Sequence, residues 1–217
     1  MSIPDLSPLW ISLKVSIVAT MITLAIGTMV AYKMYYFRGK WRSLIEGFLI
    51  APLILPPTVI GFILLILLGK NGILGQMLTQ WNLRLVFTWY AAVLAAIVVS
   101  FPLMYRAALG AFEQIDSLLL DAARLEGASE ISVFWYIALP LAMPGILAGT
   151  VLAFARALGE FGATLMLAGN IPGQTQTMPM AIYFAVEAGA TQEGWFWTII
   201  VICISLVGIT IVNYWKN

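Results

Sequence analysis

Arg156 and Glu160 are the only charged residues in one long apolar stretch of this sequence, 141–168. Because they are four residues apart, they share one face of a helix, where a guanidinium and a carboxylate can pair. An unpaired charge in hydrocarbon costs about 3 kcal/mol on insertion scales, so these side chains need each other or a water-filled cavity. We favour a structural ion pair; the alternative is that either residue lines a pore or gate.

Most other side-chain chemistry is excluded by the composition. The sequence contains no histidine, and Cys203 is its one cysteine, so the commonest general base, a metal cluster and a paired thiol centre are ruled out. Gly69-Lys70 is followed by Asn71 and does not complete a phosphate-binding glycine loop. We therefore predict that the chain is not an enzyme, holds no metal or cofactor, and leaves nucleotide chemistry to another polypeptide.

The elements that position these residues follow from the composition. Hydrophobic residues make up 62% of the 217 residues and charged residues 10%, whereas a soluble domain has about 25% charged residues. A helix that crosses the hydrocarbon core needs about 20 mostly apolar residues. Continuous runs of that kind occupy 10–32, 47–68, 85–105, 141–168 and 194–215. The sequence thus predicts an all-α integral membrane protein with about five transmembrane helices in a single domain, 1–217.

The basic residues predict how these helices are oriented. The connection 33–42 contains four basic residues and no acidic one, and such loops favour the cytoplasmic side. Alternating crossings then place seven basic residues inside and two outside, leaving out Lys14 and Arg156 because they lie within the runs. We predict five crossings of the cell membrane, with the N-terminus outside and the C-terminus in the cytoplasm.

Two short segments do not fit a full crossing. The apolar piece 180–186 follows Pro179 and is too short to span, so we predict a re-entrant or surface helix on the outer side. A sixth crossing there would put both termini on one side. Residues 72–81 predict another short helix, with Trp81 and Trp89 at headgroup depth, where aromatic rings are favoured.

The segment 116–140, which we call the elbow segment, is the one long charge-containing excursion, and the predicted topology places it in the cytoplasm. Asp116 or Ser117 can cap a first helix that carries an apolar stripe. Gly127 can end that helix, because glycine accepts the left-handed conformation of a helix end. A second short helix follows and is predicted to stop at Pro140.

The elbow segment also carries a recognisable pattern of small and charged residues. Its members are Asp121, Ala122, Ala123, Gly127, Ile137, Leu139 and Pro140. This pattern resembles the EAA loop of ABC importer permeases, with aspartate in place of the usual glutamate. The resemblance implies that these residues form a coupling helix that docks on a cytoplasmic ATPase. The alternative is a loop lying on lipid, but the segment lacks the basic cluster that anionic lipid attracts.

Four longer strings narrow this resemblance. LILPPTVIG begins at Leu53, SFPLM at Ser100, FARALGEFGAT at Phe154 and NIPG at Asn170. Together they resemble the permease of molybdate importers, with sulfate and tungstate permeases as near relatives. The resemblance implies a type I importer fold, a homodimer in membrane lipid, two cytoplasmic ATPases that bind ATP and magnesium, and an extracytoplasmic binding protein. No nucleic acid partner is implied.

Two further patterns describe packing and bending. A strip of small residues recurs every four positions: Gly145, Gly149, Ala153 and Ala157. It predicts close packing against a neighbouring helix or a second copy of the chain, rather than contact with substrate. Pro56 and Pro57 predict a bend that is a gate or hinge candidate or, with equal weight, a static kink.

The expected function is thus that of a permease subunit that moves an oxyanion, molybdate before sulfate or tungstate, into the cytoplasm. Arg156, near the external face, is also placed to steer an oxyanion. The competing class is an ion-coupled secondary transporter or channel, which needs an ionisable relay inside the membrane. Arg156 with Glu160 is the only candidate for such a relay in the sequence.

Overall fold

The fold is given by a computed structural model that describes the backbone of residues 5–216, and their side chains except those of residues 209 and 211–216. Every regular element in this range is helical. In chain order the helices are α1 (Ser7–Tyr36), α2 (Arg42–Ile54), α3 (Pro57–Leu68), α4 (Ile73–Gln80), α5 (Trp89–Glu113), α6 (Ser117–Leu125), α7 (Glu130–Val133), α8 (Leu139–Leu158), α9 (Gly162–Ala168), α10 (Met178–Glu187) and α11 (Thr191–Lys216), with a π-helical turn, Phe134–Ala138, before α8. The prediction of an all-α protein is confirmed.

Within residues 5–216, four stretches of helix are long and apolar enough to cross a membrane. They are Ser7–Tyr36, Trp89–Glu113, Glu130–Leu158 and Thr191–Gly208. Counting the bent pair α2 and α3 as one span gives five, as predicted. Large apolar side chains on these helices point outward, such as Trp10 at 69% and Phe48 at 82% exposure. Such exposure is expected of helices whose solvent is lipid.

The bend predicted at Pro56 and Pro57 is present, and it divides the run 47–68 between two helices. α2 ends at Ile54, α3 begins at Pro57, and the two axes are bent by 111°. Proline lacks the N–H that a helix interior needs, and it drives the preceding residue out of helical geometry. Accordingly, Leu55 and Pro56 adopt extended conformations with ψ of 142° and 136°. The bend is therefore a complete break.

The apolar run 141–168 is also interrupted. Its first part belongs to α8, which ends at Leu158, and its last part forms α9, which begins at Gly162. Between them, Phe161 has a φ of −126° and a ψ of −59°, outside helical geometry. Two of the five predicted spans are therefore interrupted, one at 55–56 and the other at 159–161.

Pro140 does not end the second helix of the elbow segment, contrary to the prediction. The helix continues from Glu130 to Leu158 for 29 residues. Just before Pro140, within the π-helical turn, the N–H of Leu139 donates to the carbonyl of Phe134, five residues earlier. We attribute the continuity to this wider turn, which relieves the clash between a proline ring and the carbonyls of the preceding turn.

The first and third predicted spans, α1 and α5, run parallel. The hydroxyl of Thr23 lies 3.4 Å from that of Ser100, and four residues further along both helices Gly27 faces Met104. A Cβ added to Gly27 would come within 2.9 Å of the Met104 side chain, so a small residue is needed for this approach. Without a hydrophobic driving force in lipid, such close packing is a main source of helix association.

The second and fourth spans run antiparallel to α5. Along α8 the facing pairs are Ala107 with Gly149 and Ala111 with Gly145. At one end of the bundle, Arg42 at the start of α2 forms an ion pair of 3.3 Å with Glu113 at the end of α5. These directions alternate along the chain, as successive crossings of a membrane require.

Both predicted short helices are present. α4 covers Ile73–Gln80, and α10 covers Met178–Glu187, in place of the predicted 180–186. The N–H of Met178 donates to the hydroxyl of Ser12 at 2.7 Å, so α10 lies beside the N-terminal end of α1. The elbow segment lies at the other end, next to Tyr36. Which end faces the cytoplasm remains a prediction.

Candidate functional site

The elbow segment has the predicted helix–glycine–helix form. Asp116 caps α6, and its Oδ1 accepts a hydrogen bond of 2.9 Å from the N–H of Leu118. Gly127 follows the end of α6 with a φ of +90°, a conformation that glycine adopts without the strain of a side chain. The N–H of Ala128 donates to the carbonyl of Ala123 and closes the helix end.

The outer surface of the elbow segment is apolar and uncovered. Six large side chains are more than half exposed: Leu118, Leu119, Leu125, Ile131, Trp135 and Tyr136. Leu120, by contrast, is 1% exposed and packs in the core with Met34 and Phe112, which anchors α6 on the ends of α1 and α5. An exposed apolar surface of this kind marks a contact site for a partner or for lipid.

The seven residues of the motif in the elbow segment lie in two environments. The exposed ones are Asp121, Ala122, Gly127 and Pro140, and the half-buried ones are Ala123, Ile137 and Leu139. The half-buried residues pack against the core at the ends of α1 and α5. The exposed ones remain accessible to a partner, although the carboxylate of Asp121 already pairs with Arg124 at 2.8 Å.

Arg124 is a candidate that the sequence analysis missed. Its guanidinium donates to Glu130 at 2.7 and 3.1 Å, to Asp121 at 2.8 Å and to the hydroxyl of Tyr36 at 2.8 Å. These hydrogen bonds, above all the one to Glu130, raise the pKa of Arg124 from its ordinary value. Only the pairing with Asp121, three residues away, could have been read from spacing, because Tyr36 is 88 residues distant.

The two broken spans touch at their breaks, in a contact that we call the break junction and that comprises residues 55–61 and 159–163. A Cβ added to Gly61 would lie 2.7 Å from the Cα of Ala163, and one added to Gly162 would lie 3.1 Å from a side chain of α3. Glycine at both positions lets the two chains approach more closely than side chains would allow. The candidates Pro56 and Pro57 lie directly in this contact.

An ion pair closes the break junction. Nη1 of Arg156 lies 2.6 Å from Oε2 of Glu160, and Oε1 of Glu160 accepts a hydrogen bond of 2.8 Å from the N–H of Ala163. Glu160 lies beyond the end of α8, so the pair links α8 to the start of α9 rather than lying on one helix face. Glu160 is 3% exposed and the side chain of Arg156 is 27% exposed. The buried carboxylate is thus compensated, while part of the guanidinium stays accessible.

The strip of small residues lies inside the bundle, on α5 of the same chain. Its buried members are Gly149, Ala153 and Ala157. A Cβ added to Gly145 would come within 2.5 Å of the Cβ of Ala111, and one added to Gly149 within 2.6 Å of that of Ala107. The neighbour that the strip contacts is therefore a helix within the same protomer.

One helix connects the elbow segment to the break junction. Pro140 and Arg156 are both in α8, and the 16 residues between them span about 24 Å at the rise of an α-helix. α8 therefore joins the two regions as one continuous helix.

Comparison with known proteins places this arrangement in a family. Residues 23–217 match the family described as binding-protein-dependent transport system inner membrane component. The putative molybdenum transport system permease protein YvgM of Bacillus subtilis is 44% identical over 203 residues, which cover 93% of this chain and 89% of the relative. The molybdenum transport system permease protein ModB of Escherichia coli K12 is 44% identical over 192 residues, 88% of this chain and 84% of the relative.

Solved structures show the same fold at much lower identity. A chain of the inward-facing MetNI methionine ABC transporter matches with a TM-score of 0.69 and 17% identity, over 95% of this chain and 94% of that chain. A chain of a bacterial alginate ABC transporter, in complex with a pentasaccharide-bound periplasmic protein, matches with a TM-score of 0.77 and 16% identity, over 98% and 78%. The chain therefore belongs to the binding-protein-dependent transport system inner membrane components and has the fold of ABC importer permeases.

Proposed function

We propose that this chain is the permease subunit of an ATP-driven importer that moves molybdate into the cytoplasm. The choice of molybdate rests on the two relatives that are 44% identical and bear the name of molybdenum transport permeases. The observation that carries the coupling role is the exposed elbow segment, with Asp121, Ala122 and Gly127 on its accessible side. ATP and magnesium bind to the partner ATPase, and this chain is itself neither an enzyme nor a cofactor carrier.

The partner that covers the elbow segment is the ATPase rather than lipid. The segment contains four acidic residues and one basic residue, so an anionic membrane surface repels it. Its exposed leucines lie beside the exposed acidic residues Asp121 and Glu126. This combination resembles the apolar centre and polar rim of protein interfaces. The whole chain, 1–217, acts as one permease domain, with 116–140 as its coupling segment.

The proposed orientation of the chain is supported by which segments share an end of the bundle. The basic connection 33–42 and the elbow segment lie together, since Tyr36 accepts a hydrogen bond from Arg124. Positively charged loops favour the cytoplasm, which supports a cytoplasmic elbow segment, an outside N-terminus and a cytoplasmic C-terminus. The opposite end, with α10, then faces the extracytoplasmic binding protein.

The working unit is a homodimer with two ATPase subunits and one binding protein. Within the protomer α2 has no buried residue, and the side chain of Arg156 is partly uncovered. A second copy of the chain would cover these surfaces, and the two copies together would enclose the transport path. The exposed faces that remain then contact lipid.

The break junction is the place where this path opens and closes. Broken helices at membrane depth are tolerated where freed backbone groups meet protein or a water-lined cavity, and ions pass at such breaks in many transporters. Pro56 and Pro57 supply the bend, Glu160 holds α8 and α9 together, and Arg156 offers its accessible N–H groups to an oxyanion. The strip from Gly145 to Ala157 keeps α8 in place on α5.

Transport by the reconstituted complex tests the proposal. Proteoliposomes that contain the permease, its ATPase and its binding protein are expected to take up molybdate only with ATP, in competition with tungstate and sulfate. Preference for sulfate or tungstate would replace the proposed substrate by its nearest alternative. Uptake that persists without the ATPase would favour the ion-coupled secondary transporter and would overturn the proposal.

A further inference from the structure

The ends of three long helices meet beneath the elbow segment in a cluster of aromatic rings. The ring of Tyr32 in α1 lies 5.3 Å from that of Phe112 in α5 and 4.6 Å from that of Phe134 in the π-helical turn. Tyr36, one turn further along α1, lies 5.1 Å from Tyr32. Rings at these distances stabilise each other's packing, so this aromatic cluster fastens α1, α5 and the π-helical turn together.

Arg124 connects the aromatic cluster to the elbow segment. Its guanidinium lies 5.1 Å from the ring of Tyr36 and donates to the hydroxyl of that residue at 2.8 Å. It also donates twice to Glu130, which begins α7, and once to Asp121 in its own helix. The planar guanidinium of arginine donates hydrogen bonds to several acceptors at once in a fixed geometry. The ammonium of lysine cannot reproduce this arrangement.

The backbone alone links α6 only weakly to α1 and to α7. α1 ends at Tyr36, 88 residues before Arg124, and only non-covalent contacts join it to α6. Glu130 lies beyond the turn at Gly127, where the backbone has a φ of +90° and a Cβ would meet no atom within 4 Å. This turn is open enough to act as a pivot, and the contact between Arg124 and Glu130 spans it.

We propose that Arg124 is a positioning residue that makes α6, α7 and the end of α1 move as one body. The inference rests on the coupling role proposed for the elbow segment. A displacement that the ATPase imposes on α6 then reaches α1 directly, in addition to reaching α8 through the chain. Without Arg124, α6 pivots at Gly127, and hydrolysis of ATP is no longer converted fully into opening of the path.

The test compares Arg124→Gln with Arg42→Gln in proteoliposomes that contain the ATPase and the binding protein, with molybdate as the transported ion. Arg42 is a matched control at the same end of the bundle. It pairs with Glu46 at 2.9 Å and with Glu113 at 3.3 Å, and its side chain is 25% exposed, against 27% for Arg124. The quantities measured are molybdate carried per ATP hydrolysed and ATPase bound per permease.

We expect Arg124→Gln to lower the molybdate carried per ATP about 3- to 30-fold, the range for single changes within a coupled network, with the amount of bound ATPase unchanged. Arg42→Gln is expected to keep this ratio within about twofold of the wild type, as for an ordinary surface ion pair. Arg124→Lys, which keeps the charge without the fork, is expected to restore only part of the loss.

Two conservative variants identify the contacts through which Arg124 acts. Tyr36→Phe removes one hydroxyl, and Glu130→Gln removes one charge, with little change of shape. Each is expected to lower the ratio in the wild-type background and to have no further effect in the Arg124→Gln background, because the contact is already lost there.

Three results would overturn the inference. These are equal ratios for Arg124→Gln and Arg42→Gln, additive losses for Tyr36→Phe and Arg124→Gln, and loss of bound ATPase from Arg124→Gln, which would make Arg124 a docking residue. Should the wild-type complex carry tungstate or sulfate instead of molybdate, the proposed substrate is wrong. The same ratios measured with that ion still decide the role of Arg124.

Discussion

The elbow segment and the break junction both interrupt helices, but they are built in opposite ways. In the elbow segment large apolar side chains point outward, and polar contacts around Arg124 at the surface hold the turn. In the break junction glycines bring two backbones into contact, and a buried carboxylate links two helices. The first is suited to being covered by another protein, and the second to bending a helix within lipid.

This difference implies that the two regions fail in different ways. We expect a change on the surface of the elbow segment to weaken binding of the proposed ATPase partner while the bundle stays folded. A change in the break junction removes packing or compensation of charge, so the bundle itself loses stability.

The largest effect is expected for Gly127→Asp. A Cβ at this position meets no atom within 4 Å, so the bundle stays folded, but the φ of +90° and the added charge disturb the turn. We expect the affinity for the ATPase to fall at least about 1,000-fold, equivalent to about 4.1 kcal/mol. Co-purification from membranes measures it, with Gly127→Asn as the uncharged control of similar size. Normal co-purification of Gly127→Asp with the ATPase would contradict the docking role proposed for the elbow segment.

The next effect concerns the ion pair of the break junction. Glu160→Ala leaves Arg156 without its partner and removes the acceptor of the Ala163 N–H, which is expected to cost about 3 kcal/mol of unfolding free energy. Glu160→Ala combined with Arg156→Ala is expected to cost less than Glu160→Ala alone, because no uncompensated charge remains. Thermal unfolding of the purified proteins measures both. Strictly additive losses would show that the two side chains do not act as a pair.

The smallest effects come from the same substitution made in the elbow segment and in α9, the helix that begins at the break junction. Leu167 in α9 is 0% exposed and Leu125 in the elbow segment is 89% exposed. Leu167→Ala is expected to lower the unfolding free energy by about 2–3 kcal/mol, because it leaves a cavity. Leu125→Ala is expected to change it by less than about 0.5 kcal/mol, yet to weaken ATPase binding about fivefold. Equal losses of unfolding free energy at both positions would contradict the distinction between a buried and a partner-facing leucine.

Features set by neighbouring residues were predictable from the sequence. The cap at Asp116 and the helix end at Gly127 depend on side chains and backbone within a few residues, and both are present. The apolar runs located the spans because a membrane demands length and hydrophobicity and little else. The pairing of Arg156 with Glu160 also followed from spacing, although the carboxylate turned out to link two helices.

Features set by distant neighbours were not predictable in this way. The prediction that the second helix of the elbow segment stops at Pro140 was wrong, because the π-helical turn just before this residue accommodates the proline ring. Apolar periodicity does not reveal such a turn. The contact between the two breaks depends on the approach of Gly61 to Ala163, about 100 residues apart in sequence. Arg124 was overlooked for the same reason, since its partner Tyr36 lies in the first helix.

The π-helical turn has a consequence for the rotation of α8 about its own axis. Each residue of an α-helix turns the chain by about 100°, so one residue inserted or deleted at 134–138 would rotate all that follows by that angle. Gly149 would then no longer face Ala107, and Arg156 would point to another side of the bundle. The number of residues in this short stretch, as much as their identity, sets the direction in which α8 presents Gly149 and Arg156 to the rest of the bundle.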